Sequence, residues 1–179
     1  MADIFELIIL LVTKKEIELI ARLFLASFLG GLIGYEREQF NKPAGLRTNM
    51  LVCLGAALMM VYAANAFPNP DSSARIAAGM ITGIGFLGAG SIMQSKKTVR
   101  GLTTAATIWV VAIIGTAVGG GEYLGAAIAT VFVLAILYFS RIEEKVVSLG
   151  LPVVAWFPIR RLPLVKKMHR VSRKTKPES

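Results

Sequence analysis

The sequence predicts an all-α integral membrane protein, a compact bundle of five transmembrane helices that pack through glycine-rich faces. Hydrophobic residues make up 55% of the chain and charged residues only 17%, against about 25% charged residues in soluble domains. The apolar residues form blocks close to the length of about 20 residues that crosses a bilayer as a helix. Most of the 17 glycines fall inside those blocks. Helices are expected because an unpaired backbone group in lipid costs several kcal/mol.

The first 16 residues predict a periplasmic amphipathic segment that lies at one membrane surface. Asp3 and Glu6 stand where a secretory signal would carry positive charge, and the apolar stretch 7–12 is too short to span. A transmembrane domain over residues 17–140 follows. Its five apolar blocks are the predicted spans, at 17–35, 45–64, 74–93, 103–119 and 123–140.

The basic residues predict the orientation. The loops 36–47 and 94–102, together with the tail 141–179, hold sixteen of the twenty Lys and Arg residues. With five spans these segments share one side, so the positive-inside rule places the C-terminus in the cytoplasm and the N-terminus in the periplasm. Beside so hydrophobic a body, the basic tail is expected to meet anionic lipid of the inner leaflet and not nucleic acid.

Within the tail, an apolar run at 149–157 precedes several basic residues. We interpret this segment as lying on the inner leaflet, and a disordered tail is the alternative. The basic residues assigned to the lipid surface are Arg160, Arg161, Lys166 and Lys167.

The ionisable residues exclude several functions. The single cysteine, Cys53, rules out a disulfide framework, and the single histidine, His169, rules out a histidine cluster. We expect no enzymatic activity and no cofactor, with magnesium as the one possible ligand. Arg22 is the charged residue nearest the middle of a span, and Glu18 lies on the same helix face. We favour the interpretation that the two residues form an interfacial pair in which Arg22 reaches the headgroups. The alternative is that Arg22 is a charge that lines an outer entry.

Small residues dominate the third predicted span. Close packing of helices, within one chain or a homo-oligomer, is the favoured interpretation. The alternative is a helix broken by its glycines, which would expose carbonyl groups to an ion. Asn49 in the second span predicts either an interhelical hydrogen bond or an amide that faces a ligand. The glycines concerned are Gly79, Gly83, Gly85, Gly88 and Gly90.

Polar clusters meet at the predicted cytoplasmic edge. Glu36 or Glu38 is expected to pair with Arg47 across a short loop, and Thr103 or Thr104 to cap the fourth span. Glu36 and Glu38 are also candidate magnesium ligands, although nearby basic groups oppose cation binding. The remaining basic members of this edge are Arg37, Lys96, Lys97 and Arg100.

Three long motifs carry a resemblance to a known family. They are GYEREQFNKPAGLRTNMLVCLGAAL at 34–58, ARIAAGMITGIGFLGAGSIM at 74–93 and VRGLTTAATIWVVAIIGTAVGGG at 99–121. In this order they resemble the MgtC/SapB family of bacterial inner-membrane proteins. The resemblance implies five spans, a periplasmic N-terminus, no known catalysis and a link to adaptation to low magnesium.

The same resemblance implies two accounts of function. Members are often labelled magnesium transporters, and the competing account is regulation of other membrane proteins, including the F-type ATP synthase and phosphate uptake. We favour regulation and keep cation transport through the glycine-rich bundle as the alternative. Longer relatives carry a soluble ACT-like domain, which residues 141–179 are too few and too proline-rich to form, so functions that need that domain are not carried over.

Overall fold

The structure, a computed structural model, describes the backbone of residues 2–67, 69–95 and 98–148 and most side chains from 13 to 139. In these residues the chain forms five α-helices and one antiparallel hairpin. The elements are α1 (Ala2–Gln39), α2 (Leu46–Ala66), α3 (Pro70–Gly90), β1 (Met93–Ser95), β2 (Thr98–Arg100), α4 (Leu102–Gly120) and α5 (Tyr123–Ser148). The predicted all-α membrane class is confirmed, with the small hairpin as an addition.

In the part of the chain that the structure describes, three helical segments are long and apolar enough to cross a membrane, namely Thr13–Gln39, Leu46–Ala66 and Leu102–Gly120. Helix α3 lies at the third predicted span, and the apolar segment Tyr123–Phe139 of α5 is shorter. No break separates the predicted surface segment from the first span, because neither glycine nor proline occurs before Gly30.

The chain divides into two compact units, residues 1–136 and 137–179. In the first unit, α2 packs against both α1 and α4, and α3 packs on α4. The centre of this packing is filled by small and branched side chains. They include Ala26, Ile33, Cys53, Val111 and Ile114. Of the second unit, the structure describes residues 137–148, the end of α5.

Glycines bring α1 and α4 against the backbone of α2. A Cβ added at Gly30 would lie 2.7 Å from the carbonyl oxygen of Asn49, and one added at Gly115 would lie 2.2 Å from that of Cys53. At Gly119 the corresponding distance to the carbonyl oxygen of Ala57 is 2.4 Å. Small residues therefore bring these helices together as close packing in a membrane requires.

The glycines of α3 bear on both interpretations made for them. Helix α3 runs unbroken from Pro70 to Gly90, so the broken-helix interpretation is wrong. Among the described residues, only Gly88 of the five approaches a neighbouring helix: a Cβ there would lie 3.5 Å from the carbonyl oxygen of Ala105 in α4. The other four have open space where a Cβ would be, so they form no packing face against the part of the chain that the structure describes. They are Gly79, Gly83, Gly85 and Gly90.

Candidate functional site

The loop between α1 and α2 reverses the chain at the predicted cytoplasmic edge. Two non-glycine residues, Asn41 (φ 49°) and Ala44 (φ 58°), adopt the left-handed conformation there. Asn49 is fully buried and holds this loop, since its Nδ2 donates hydrogen bonds to the carbonyl oxygens of Ala44 (2.7 Å) and Gly45 (2.9 Å). Its Oδ1 has no partner among the described residues. The amide thus ties α2 to its own entry loop, which neither prediction for Asn49 anticipated.

Glu38 caps α2 from the neighbouring helix. Gly45 occupies the N-cap position and offers no side chain. Instead, the backbone N–H of Leu46 donates to Oε2 of Glu38 at 2.8 Å. The first amides of a helix have no intrahelical acceptor, so a carboxylate at this point satisfies a donor and complements the helix dipole.

The ion pair predicted between Glu36 and Arg47 is wrong. The carboxylate of Glu36 accepts two hydrogen bonds from its neighbour Arg37, one from Nε and one from Nη2 at 2.7 Å. Arg37 is 3% exposed, whereas Arg47 is exposed. A buried guanidinium needs a hydrogen-bonded counter-charge far more than an exposed one does, which explains why Arg37 takes the carboxylate.

These contacts hold the two candidate magnesium ligands, Glu36 and Glu38, away from each other. Glu36 and Glu38 are two residues apart on α1, so they point about 200° away from each other around the helix. One is held by Arg37 and the other by the amide of Leu46. Among the residues that the structure describes, no group of three or more His, Cys, Asp or Glu side chains could hold a metal ion.

The start of α4 also differs from the prediction. Neither Thr103 nor Thr104 caps this helix: the N-cap is Gly101, with φ of 91° and no side-chain hydrogen bond. Thr104 is buried inside the bundle. The hairpin passes directly into α4, and a Cβ at Gly101 would lie 2.0 Å from the carbonyl oxygen of Ser91. This close turn requires glycine.

Arg100, at the end of β2, is exposed. Lys96, Lys97 and residues 149–179 of the tail lie outside the described residues. The predicted lipid contacts of Arg160, Arg161, Lys166 and Lys167 therefore stay predictions.

The opposite end of the bundle carries a second polar cluster. Arg22 pairs with Glu18, as predicted from their spacing. Arg22 also donates from Nη1 to the carbonyl oxygen of Gly119 at 2.5 Å, and its guanidinium lies 5.8 Å from the ring centre of Tyr123. Arg22 therefore fastens α1 to the C-terminal end of α4, where carbonyls lack intrahelical donors. Nothing in the sequence pointed to Gly119, which lies 97 residues away.

A half-open cavity adjoins this cluster. Its volume is about 510 Å³, and it lies between the start of the first span and the end of α2. The wall from α1 presents four charged side chains and Leu19, and the wall from α2 presents one amide and two apolar side chains. The lining residues are Lys15, Glu16, Glu18, Leu19, Arg22, Val61, Ala64 and Asn65.

Comparison with known proteins gives one family and several close relatives. The family model described as "MgtC family" matches residues 23–146. Protein MgtC of Brucella abortus (strain 2308) is 50% identical over 112 residues, which are 62% of this chain and 46% of that protein. Protein MgtC of Salmonella typhimurium (strain LT2) is 49% identical over 115 residues, 64% of this chain and 49% of that protein. The chain thus spans about half the length of these curated relatives. No solved structure matches it.

Proposed function

Because the chain belongs to the MgtC family, we propose that it is a non-enzymatic protein of the bacterial inner membrane that acts in magnesium and envelope homeostasis by contacting other membrane proteins. The N-terminus lies in the periplasm and the basic tail in the cytoplasm, where the tail meets anionic lipid. Transporters and the F-type ATP synthase are the partners that the family resemblance favours. The observation that supports contact as the mode of action is the open face of α3.

This open face is a single stripe along one side of α3, made of Gly79, Gly83, Phe86 and Gly90. At 100° per residue these four positions fall within about 60° of one another around the helix. With respect to the described residues, space is open at all three glycines, and Phe86 is 83% exposed. Gly88 lies on the other side of α3, where it meets α4. Helix α3 is therefore held by the bundle on one side and presents a smooth glycine surface with one aromatic side chain on the other.

A glycine surface of this kind fits the helix of another membrane protein. Association of helices in lipid depends on close van der Waals contact, which small residues permit. Phe86 supplies a large side chain that can fill a gap on the partner, as aromatic anchors do in protein interfaces.

The alternative, cation transport through the bundle, has less support. The feature that favoured it was a glycine-broken third span, and α3 is continuous. Between α2 and α4 the backbones touch at Gly115 and Gly119, so the seam between those two helices is too narrow for a hydrated ion.

Site-specific photo-crosslinking tests the proposal. A benzophenone amino acid at Phe86, in the full chain in its native membrane, should crosslink to a different membrane protein. The matched control is the same substitution at Phe24, an aromatic residue of α1 that is 73% exposed and lies off the open face. Equal crosslinking from the two positions, or adducts from Phe86 to lipid alone, would contradict the proposal.

A further inference from the structure

The cavity beside Arg22 has an unusual balance of charge. Its α1 wall combines Lys15 and Arg22 with Glu16 and Glu18, so the four charges sum to zero. Arg22 and Glu18 bind each other, which leaves Lys15 and Glu16 as exposed charges of opposite sign at the rim. A simple anion would face two carboxylates and a simple cation would face two basic groups. The arrangement fits a molecule that carries both charges.

One donor of a lining residue lacks an acceptor. The Nε of Arg22 is buried and has no hydrogen-bond partner among the described residues. Buried donors almost always have a hydrogen-bond acceptor, and a buried donor without one costs about 1–3 kcal/mol. An anionic oxygen is the strongest acceptor for a guanidinium, and phosphate matches it well.

The position of the cavity indicates where such a molecule comes from. The cavity lies at the first turns of the span Thr13–Gln39 and the last turns of the span Leu46–Ala66. The ends of spans are the depth at which lipid headgroups lie. Leu19, Val61 and Ala64 give the cavity an apolar wall against which the start of an acyl chain can pack.

We propose that this cavity binds the headgroup of a zwitterionic phospholipid that carries a primary ammonium group. The phosphate is bound by Lys15 and Arg22, and the ammonium by Glu16 together with the amide oxygen of Asn65. A primary ammonium donates three hydrogen bonds, which carboxylate and amide oxygens accept. A quaternary ammonium donates none and favours aromatic cages, and none of the eight described lining residues is aromatic.

Thermal unfolding of the purified full chain in detergent, with short-chain lipids added, tests this assignment. Phosphatidylethanolamine should raise the melting temperature at lower concentration than phosphatidylcholine or phosphatidylglycerol does. Lys15→Gln and Glu16→Gln should each weaken this effect about tenfold, the loss expected for one charge-assisted hydrogen bond. Both residues are exposed, so the variants should melt as the parent does without lipid.

Lys14→Gln is the matched control. It removes the same charge from the same turn of α1, and Lys14 does not line the cavity. Its response to phosphatidylethanolamine should equal that of the parent. Equal losses for Lys14→Gln and Lys15→Gln, or equal effects of phosphatidylglycerol and phosphatidylethanolamine on the parent, would overturn the site. Full stabilisation by soluble phosphoethanolamine would overturn the assignment to a lipid.

Discussion

Replacing Gly115 with alanine perturbs the closest approach of α4 to α2. The added Cβ would lie 2.2 Å from the carbonyl oxygen of Cys53 and 3.0 Å from the Cβ of Ala56. Unbonded heavy atoms are at their optimal separation at about 3.5–4.0 Å. The nearest obstacle is backbone, which cannot turn aside as a flexible side chain can. The two helices must therefore separate, and buried contacts along the whole seam weaken.

The magnitude follows from two opposing terms. Overpacking a well-filled core costs about 1–3 kcal/mol, and the clash with the backbone of α2 places this substitution in the upper part of that range, at about 2–3 kcal/mol. Alanine is a better helix former than glycine by about 1 kcal/mol, which offsets part of the cost. Gly115→Ala should therefore lower the free energy of unfolding by about 1–2 kcal/mol after the offset.

Gly83 in α3 provides the matched comparison. A Cβ there meets nothing within 4 Å, so Gly83→Ala should keep the gain in helix propensity and leave stability unchanged or raised by up to about 1 kcal/mol. Reversible unfolding of both variants in the same detergent, followed by circular dichroism, measures the difference. The reasoning fails if Gly115→Ala is as stable as the parent, or if Gly83→Ala is the more damaging change.

Three further changes test contacts between helices, each by the same unfolding measurement. Arg22→Gln should lower the free energy of unfolding by about 1–3 kcal/mol because the carbonyl oxygen of Gly119 loses its donor. Arg22→Lys should restore only part of that loss, since an ammonium lacks the guanidinium fork. Full recovery of stability in Arg22→Lys would show that charge alone matters. Glu38→Ala should cost about 0.5–1 kcal/mol through the lost cap at Leu46, whereas Glu38→Gln keeps an acceptor oxygen and should cost less. Equal losses would mean that the hydrogen bond to Leu46 contributes nothing. Gly101→Ala should cost at least about 1–2 kcal/mol from the left-handed backbone alone, and an unchanged melting temperature would contradict the tight turn.

The positions of the helices could be predicted because apolar blocks are local features of the sequence. The second predicted span, 45–64, corresponds to Leu46–Ala66, and the fourth, 103–119, to Leu102–Gly120. The continuation of α1 back to Ala2 was missed because charged residues between two apolar stretches resemble a boundary. A helix that extends beyond the bilayer carries the same charges without a break.

The roles of the glycines could not be predicted from their spacing. Gly115 and Gly119 in α4 are four residues apart, and so are Gly79 and Gly83 in α3, yet only the first two touch another helix. Which face of a helix meets a neighbour depends on the arrangement of the whole bundle. Spacing shows that a face is smooth and does not show what covers it.

The polar contacts were hard to predict for a related reason. The edge near Glu36 offers several acid–base pairings, and burial of Arg37, a tertiary property, selects among them. The acceptors that complete the other contacts are backbone groups, such as the carbonyl of Gly119, and every residue has one. The Glu18–Arg22 pair was predictable because it joins neighbouring turns of one helix.

Magnesium flux into proteoliposomes that contain only the purified full chain tests most directly whether this protein acts by contact or by transport. With a magnesium-sensitive dye inside the vesicles and an inward magnesium gradient, we expect the signal to match that of protein-free vesicles, while an added ionophore shows that the vesicles are sealed and the dye responds. Flux that rises with the amount of protein in the vesicles would contradict the account, since it would require an ion pathway in the bundle itself.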